Sequence, residues 1–343
     1  MAERDVISLG EIEEEEGPGF SIRAEDVDSL APEWAALHKA AGVPGPFQRP
    51  EWHAVWLRHF GGSAEPVYLA VRDAETLIGV VALDMAGVEA RQLGDPDVCD
   101  YAGPLALPGR ERDVALALLD WVAEDMTPRM QLWGLREADP VRAALIAEAA
   151  ENGWDVEVEQ EAVAPVAALP GDWEAFVAGL GKHDRHELRR KLRHLDAAGP
   201  VAYTATADFA AIDVALETLF VFMRASHEGK AAFLSPAMED YFRDVAATFA
   251  PLGLMRLGTL SLDGASVAML FSFEDERGLY LYNSGFDPER ASLAVGLLSK
   301  AHAIRDAIER GKTVFDFLRG EEDYKHRLGG VPAPVYRLTF TRR

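Results

Sequence analysis

Residues 182–194 form a basic island in an acidic chain: six Lys or Arg against Asp184 and Glu187. Arg185, Arg189 and Arg193 recur every four residues, so on a helix they share one face. Such a face holds a phosphate-bearing ligand through charge-assisted, bidentate hydrogen bonds, or it pairs with the chain's own carboxylates; both readings stay open. His183 and His186 have ligand spacing, but the surrounding cations oppose a dication and no carboxylate or Cys cluster joins them, so no metal site is expected. A second candidate lies further on. A strand ends at Tyr282-Asn283-Ser284-Gly285-Phe286, and a helix follows near Ser292. The free N–H groups and positive dipole end of that helix make a place for a pyrophosphate, bordered by Ser292, Val295, Gly296 and Leu297. Gly296 in the first turn either permits close backbone approach or is a packing glycine. Asp316 stands between Phe315 and Phe317 on an apolar strand and points to the face opposite them. A carboxylate there is costly unless it is functional or is a buried partner, for instance of Arg319 or Lys325.

Other motifs fail on context. Gly311-Lys312-Thr313 resembles the end of a phosphate loop, but position 306 is Asp and a helix precedes it. Neither a Gly-x-Ser-x-Gly elbow nor a Gly-x-Gly-x-x-Gly strand-to-helix turn is present, so neither a hydrolase triad nor a dinucleotide fold is supported.

The elements that must position these residues follow from periodicity. Helices are expected over 27–41, 51–60, 110–124, 140–151, 172–180, 182–195, 208–224 and 292–310. Strands are expected over 67–72, 78–85, 130–135, 154–159, 254–260, 266–273, 278–283, 314–318 and 335–340. Trp52, Trp56 and Phe60 make an aromatic stripe that reads as core. Ser292 suits the N-cap of the 292–310 helix, and Leu293, Leu297, Ile304 and Ile308 its buried face. One order of elements occurs twice: a strand meander, an amphipathic helix, then a short apolar strand. The uncharged stretch 162–171, with Pro165 and Pro170, marks a boundary between the two copies. Residues 1–19 carry Glu13 to Glu16 and then Gly-Pro-Gly, which reads as a mobile acidic tail.

The 343 residues suffice for two domains with substantial cores, and 49% hydrophobic with 27% charged residues is a globular composition. The net charge of −23 argues against a general DNA or anionic-membrane binder. A single cysteine, Cys99, excludes a disulfide framework and fits a reducing cytoplasm. No secretory leader and no membrane-spanning run is read from the sequence, so a cytoplasmic protein is expected.

Taken in order, several pieces resemble the BioF/CelD-like acetyltransferase domain of the GNAT superfamily, which is related to the Fem aminoacyltransferases. They are Pro46-Phe47-Gln48-Arg49-Pro50-Glu51-Trp52, residues 180–195 with Arg189-Arg190, and His227-Glu228-Gly229-Lys230 with Phe233. They continue with Tyr282 to Pro288, the helix bearing Gly296, Gly311 to Phe317, and Gly320-Glu321-Glu322-Asp323-Tyr324-Lys325. The resemblance runs from about Pro46 nearly to the end. It implies a mixed α/β fold of two tandem GNAT-like domains, each a mostly antiparallel twisted sheet flanked by helices. A degenerate domain over 20–165 would precede an acyltransferase domain over 166–343. The common pyrophosphate signature, Gln/Arg-x-x-Gly-x-Gly/Ala, is absent: counted from Arg290, the small positions hold Leu293 and Val295.

The resemblance implies acyl transfer from a thioester, acetyl-CoA or another acyl-CoA, to an amine of a small molecule or an envelope or polysaccharide precursor. Asp316 would orient the amine or accept its proton, Tyr324 would be the acid, and Lys325 would stabilise the oxyanion or donor phosphate. His227, Lys230, Tyr282, Asn283 and Arg319 would contact substrate; Ser292, Val295, Gly296, Leu297, Arg185 and Arg189 would hold the donor. Two alternatives stand beside this: an aminoacyl-tRNA-dependent Fem-like ligase, and a non-catalytic tandem partner in polysaccharide assembly.

Overall fold

The computed structural model describes residues 19–124, 128–226 and 228–343. The tail expected at 1–19 lies outside these apart from Gly19, and so does His227.

The first half runs β1 (Ser21–Ala24), α1 (Val27–Ala41), α2 (Pro50–Phe60), β2 (Pro66–Asp73), β3 (Thr76–Asp84), β4 (Ala90–Gln92), β5 (Leu105–Ala106), α3 (Glu111–Glu124), β6 (Arg129–Arg136), α4 (Pro140–Glu151) and β7 (Trp154–Val163). The second runs β8 (Val166–Ala168), α5 (Trp173–Gly179), α6 (Lys182–Asp196), β9 (Val201–Thr206), α7 (Phe209–Ser226), α8 (Glu228–Phe233), α9 (Pro236–Phe249), β10 (Met255–Leu262), β11 (Ala265–Glu274) and β12 (Gly278–Phe286). A 3-10 turn (Pro288–Leu293), α10 (Val295–Glu309), β13 (Val314–Asp316), α11 (Asp323–Arg327) and β14 (Pro334–Arg342) complete it.

Local chemistry sets many of these boundaries. Asp26, Asp139, Asp172 and Ser235 each accept a backbone N–H at a helix start, relieving one orphan donor. Asp263 and Gly264 both take positive φ (52° and 80°) in the two-residue turn that joins β10 to β11, the conformation matching strand twist.

The strands form two sheets among the described residues. One runs β1-β2-β3-β4-β6-β14-β7, with β5 also on β3; the other runs β8-β13-β12-β11-β10-β9. The repeated pattern is real in three dimensions. In each half a three-strand antiparallel meander feeds a helix, and the next strand pairs parallel with the third: β6 on β4 and β13 on β12. The mixed α/β architecture of two sheets expected of tandem GNAT-like units is therefore present. The last strand, β14, inserts between β6 and β7 of the first sheet, while β8 borders β13 of the second. The chain crosses between sheets at Ala164-Pro165, two residues long.

A shared core joins the halves. Trp52 of α2 meets Tyr241 and Phe249 of α9, Phe273 of β11 and Tyr282 of β12, with ring centroids 5.6 to 6.1 Å apart. The aromatic stripe of α2 is thus core, as its spacing predicts. Separate cores lie under α3–α4 and under α10.

Candidate active site: the splay between parallel strands

The parallel pairing of β12 with β13 is short, covering Gly278 to Tyr280 against Val314 to Asp316. On its other side β12 stays paired with β11 as far as Phe286. From Leu281 onward the β13 edge of β12 is open. The departure of β13 has local causes. The Asp316 carboxylate accepts the Leu318 N–H at 2.8 Å, Leu318 takes φ 55° and Gly320 φ 117°, so the chain turns away after three strand residues. The strand expected over 314–318 therefore stops at Asp316.

Lys325 holds this turn. Its Nζ donates to the carbonyls of Leu318 (3.0 Å), Arg319 (2.7 Å) and Gly320 (3.1 Å) and lies 3.0 Å from the Glu322 carboxylate. An ammonium has three protons, and here each has a carbonyl to meet. With the residue 2% exposed, Lys325 is a clamp inside the loop, and what the clamp positions is Glu322 and Tyr324.

Those two side chains border a pocket of about 650 Å³ in the mouth of the splay. Ser284 and Phe286 of β12 form its floor, Gly296, Leu297 and Lys300 of α10 one wall, and Lys230 of α8 the other. A Cβ on Gly296 would sit 2.8 Å from the Phe286 ring, so a side chain there would invade the space. Gly285 lets α7 lie directly on β12, since a Cβ would stand 2.4 Å from the Met223 nitrogen. Ser292 does not cap α10. It is exposed in the 3-10 turn, and Ala294 at φ 57° starts the helix with no side-chain cap.

The pocket is electrostatically unusual. Lys300 is 6% exposed; among the described residues it has no hydrogen-bonding or ionic partner, and its Nζ lies 5.3 Å from the Tyr324 ring centroid. Burial first, and then the neighbouring Lys230 charge, push its pKa down to about 7. Lys230 donates to the Ser284 carbonyl, and burial lowers its pKa to about 8 against the opposing pull of Glu322. Burial, followed by the Glu322 charge, pushes the Tyr324 phenol up, so it stays protonated.

The residues singled out by sequence divide among several places. Lys230, Gly296, Leu297 and Tyr324 border the pocket. Asp316 does not. It is 3% exposed, accepts the Tyr101 hydroxyl at 2.8 Å, and lines a separate cavity of about 310 Å³ between the sheets. Burial lifts its carboxyl to about pKa 7 against the pull of its two hydrogen bonds. Its partners are therefore Tyr101 and Leu318, not Arg319 or Lys325. Arg319 instead binds the Asp100 carbonyl (2.8 Å) and the Glu161 carboxylate (2.7 Å), tying the loop to the first half. Tyr282 is the extra residue of a bulge against β11; its ring sits among Phe242, Phe271 and Phe273, and its hydroxyl donates to the Val98 carbonyl. The Asn283 amide oxygen accepts the N–H of its own neighbour Ser284. Val295 is buried in the core under α10. Arg185 donates to the Ala178 carbonyl, and Arg189 pairs with Glu174 at 3.2 Å, so neither lines the pocket. Lys312 is engaged by Asp275 and Glu274.

Lys300 and Glu322 are the charged pocket residues to which sequence reasoning gave no role. Lys300 carried a signal: it falls three residues after Leu297 and four before Ile304, a charged side chain on the helix's own apolar stripe.

Among the described residues no cluster of three or more His, Cys, Asp or Glu could hold a metal ion, and no helix is long and apolar enough to cross a membrane.

Residues 182–326 match the family described as acetyltransferase (GNAT) domain. No curated protein matches the chain. Among solved structures it is similar to FemX, with 11% identity, a TM-score of 0.65, and 92% of this chain covered against 96% of that one. It is also similar to a conserved protein of unknown function from Bacteroides thetaiotaomicron VPI-5482, with 12% identity, a TM-score of 0.58, and 94% and 99% covered. Residues 182–326 are thus similar to an acetyltransferase (GNAT) domain, and the chain as a whole shares the fold of FemX.

Proposed function

We propose that this protein is an N-acyltransferase that moves an acyl group from a CoA thioester to an amine of a small molecule or an envelope precursor. The observation that carries the reading is the open splay: a pocket of about 650 Å³, bounded by a bare strand edge, a helix start without a side-chain cap, and buried amine and phenol groups. The pocket fits such a donor. Gly296 leaves space where any Cβ would intrude, the first N–H groups of α10 suit a diphosphate, and Leu297 and Phe286 suit an apolar arm.

The thioester supplies an activated carbonyl and a thiolate leaving group. In the transfer, the acceptor nitrogen bonds to the acyl carbon, the carbon–sulfur bond breaks, and the proton lost by nitrogen is matched by one gained by sulfur. Tyr324, kept protonated by burial, donates a hydrogen bond to the charge that develops on the acyl oxygen. This differs from the acid role expected from the sequence, since a phenol pushed up in pKa is a poor proton source. Lys230 fixes the Ser284 carbonyl and so the strand edge along which the donor lies. Lys325 acts through the loop it holds. Asp316 serves the contact between the sheets.

The unit boundary we propose lies between β7 and β8, with β14 returned to the first sheet. An aminoacyl-tRNA donor is disfavoured by the net charge of −23, and Glu174 already pairs with Arg189 of the basic face of α6. The test is release of free CoA thiol from acetyl-CoA with a panel of amines. Amine-dependent release that falls in Tyr324→Phe supports the reading; no release with any amine, together with no CoA binding, contradicts it.

A further inference from the structure

Lys300 has no part in the transfer just described, and among the described residues it has no anionic partner: its stem is buried, while its Nζ is met by the Tyr324 ring and opens on the pocket, where a negatively charged group could reach it. Its depth in the pocket indicates what that would be. The diphosphate end of the donor belongs at the start of α10, near Val295 and Gly296. Lys300 lies deeper along α10, its Nζ 5.3 Å from the ring centroid of Tyr324, the phenol assigned above to the acyl oxygen.

The groups that face it there are Lys230 from α8 and Glu322 and Tyr324 from the loop after β13. Lys325 stands behind that loop, its ammonium spent on three carbonyls and Glu322. Three amines therefore share one carboxylate, and that carboxylate already lies 3.0 Å from Lys325. The inner end of the pocket is short of negative charge.

Resting on the acyl-donor reading, we propose that the pocket selects an acyl group ending in a carboxylate, a dicarboxylic half-thioester of the succinyl kind, and that Lys300 pairs with that carboxylate. A neutral acyl chain leaves the amine unsatisfied, whereas a carboxylate makes a charge-assisted hydrogen bond with it in a site of low polarity. With its pKa near 7, Lys300 is largely neutral at slightly alkaline pH and takes up a proton when the anion arrives.

The experiment is calorimetric titration of the full chain at pH 7.5 with succinyl-CoA, butyryl-CoA and free CoA. Butyryl has the same four-carbon chain with a methyl in place of the carboxylate. Succinyl-CoA is expected to bind at least about tenfold more tightly than butyryl-CoA, the ratio of one charged hydrogen bond. Its binding enthalpy should vary with the ionisation enthalpy of the buffer, showing proton uptake, and that of butyryl-CoA should vary less. In Lys300→Met the two should bind alike. Equal affinities in the unaltered protein, or a preference that survives Lys300→Met, overturn the inference while the donor reading stands on free CoA and butyryl-CoA binding. Absence of binding by all three at millimolar concentration overturns the donor reading and this inference with it.

Discussion

The two halves of the molecule contain the same junction in opposite states. In the second half, β12 and β13 part after three paired residues and enclose about 650 Å³. In the first half, β4 and β6 pair parallel over Ala90-Arg91 and Met130-Gln131, and the cavity beside Gln92, Leu93 and Gly94 at the end of β4 is only about 10 Å³. That is on the scale of one water. Aromatic groups crowd this place. The Trp133 indole of β6 donates to the Gln92 carbonyl of β4 at 3.2 Å, bridging the point where the strands would part, and Phe47, Trp52 and Trp56 line the small cavity. The open junction is bordered by Gly296, Ser284, Lys230 and Lys300. The difference teaches that topology supplies the junction, while side-chain volume and polarity decide whether it is a site or a core.

This contrast makes its largest predicted effect at the open junction. Tyr324→Phe removes the donor to the developing oxyanion and should lower kcat by about 100-fold or more, with little change in donor affinity, as read by thiol release and calorimetry. At the closed junction, Trp52→Ala should cost roughly 3–5 kcal/mol of stability by denaturant unfolding, because a buried ring between both halves is lost. Acetyl-CoA binding to the first half should not appear in its place. Next is pH. The folded-state pKa of Asp316, about 7, lies above its ordinary 3.8. The folded protein therefore holds that proton more tightly, and stability declines as pH rises from about 4 to 7, then levels. Asp316→Asn should flatten that decline, by up to about 4 kcal/mol, without loss of acetyl-CoA binding. Asp100, also pushed up by burial, contributes in the same direction and remains in the variant. The smallest effect belongs to the basic helix: Arg189→Ala removes an exposed pair with Glu174 and should change stability by less than about 1 kcal/mol.

Much of the frame is legible in the sequence itself. The repeated meander, helix and strand and the α2 aromatic stripe follow from local spacing. Alternation also placed Asp316 opposite Phe315 and Phe317, which pack under α10 while Asp316 meets Tyr101. What spacing could not supply was distance between elements. Asp316, Tyr324 and Lys325 lie within ten positions of one another, yet they face a cavity between the sheets, the splay and a ring of carbonyls respectively. The turn through Leu318 and Gly320 separates them, and its first left-handed residue is a leucine, not a glycine. Ser292 was misleading for a similar reason: a serine before an apolar stripe suits a cap, but a 3-10 turn took it and Ala294 opened the helix. The exchange of β14 into the first sheet depends on pairing across some 200 residues, beyond any local pattern.

The most direct test is the stoichiometry of acetyl-CoA binding to the purified chain, measured by calorimetry beside Gly296→Val. One site per chain, lost or greatly weakened when the valine side chain enters the space beside Phe286, is the predicted result. Two equivalent sites, no binding at millimolar ligand, or one site indifferent to Gly296→Val would contradict the assignment of the open splay as the donor site.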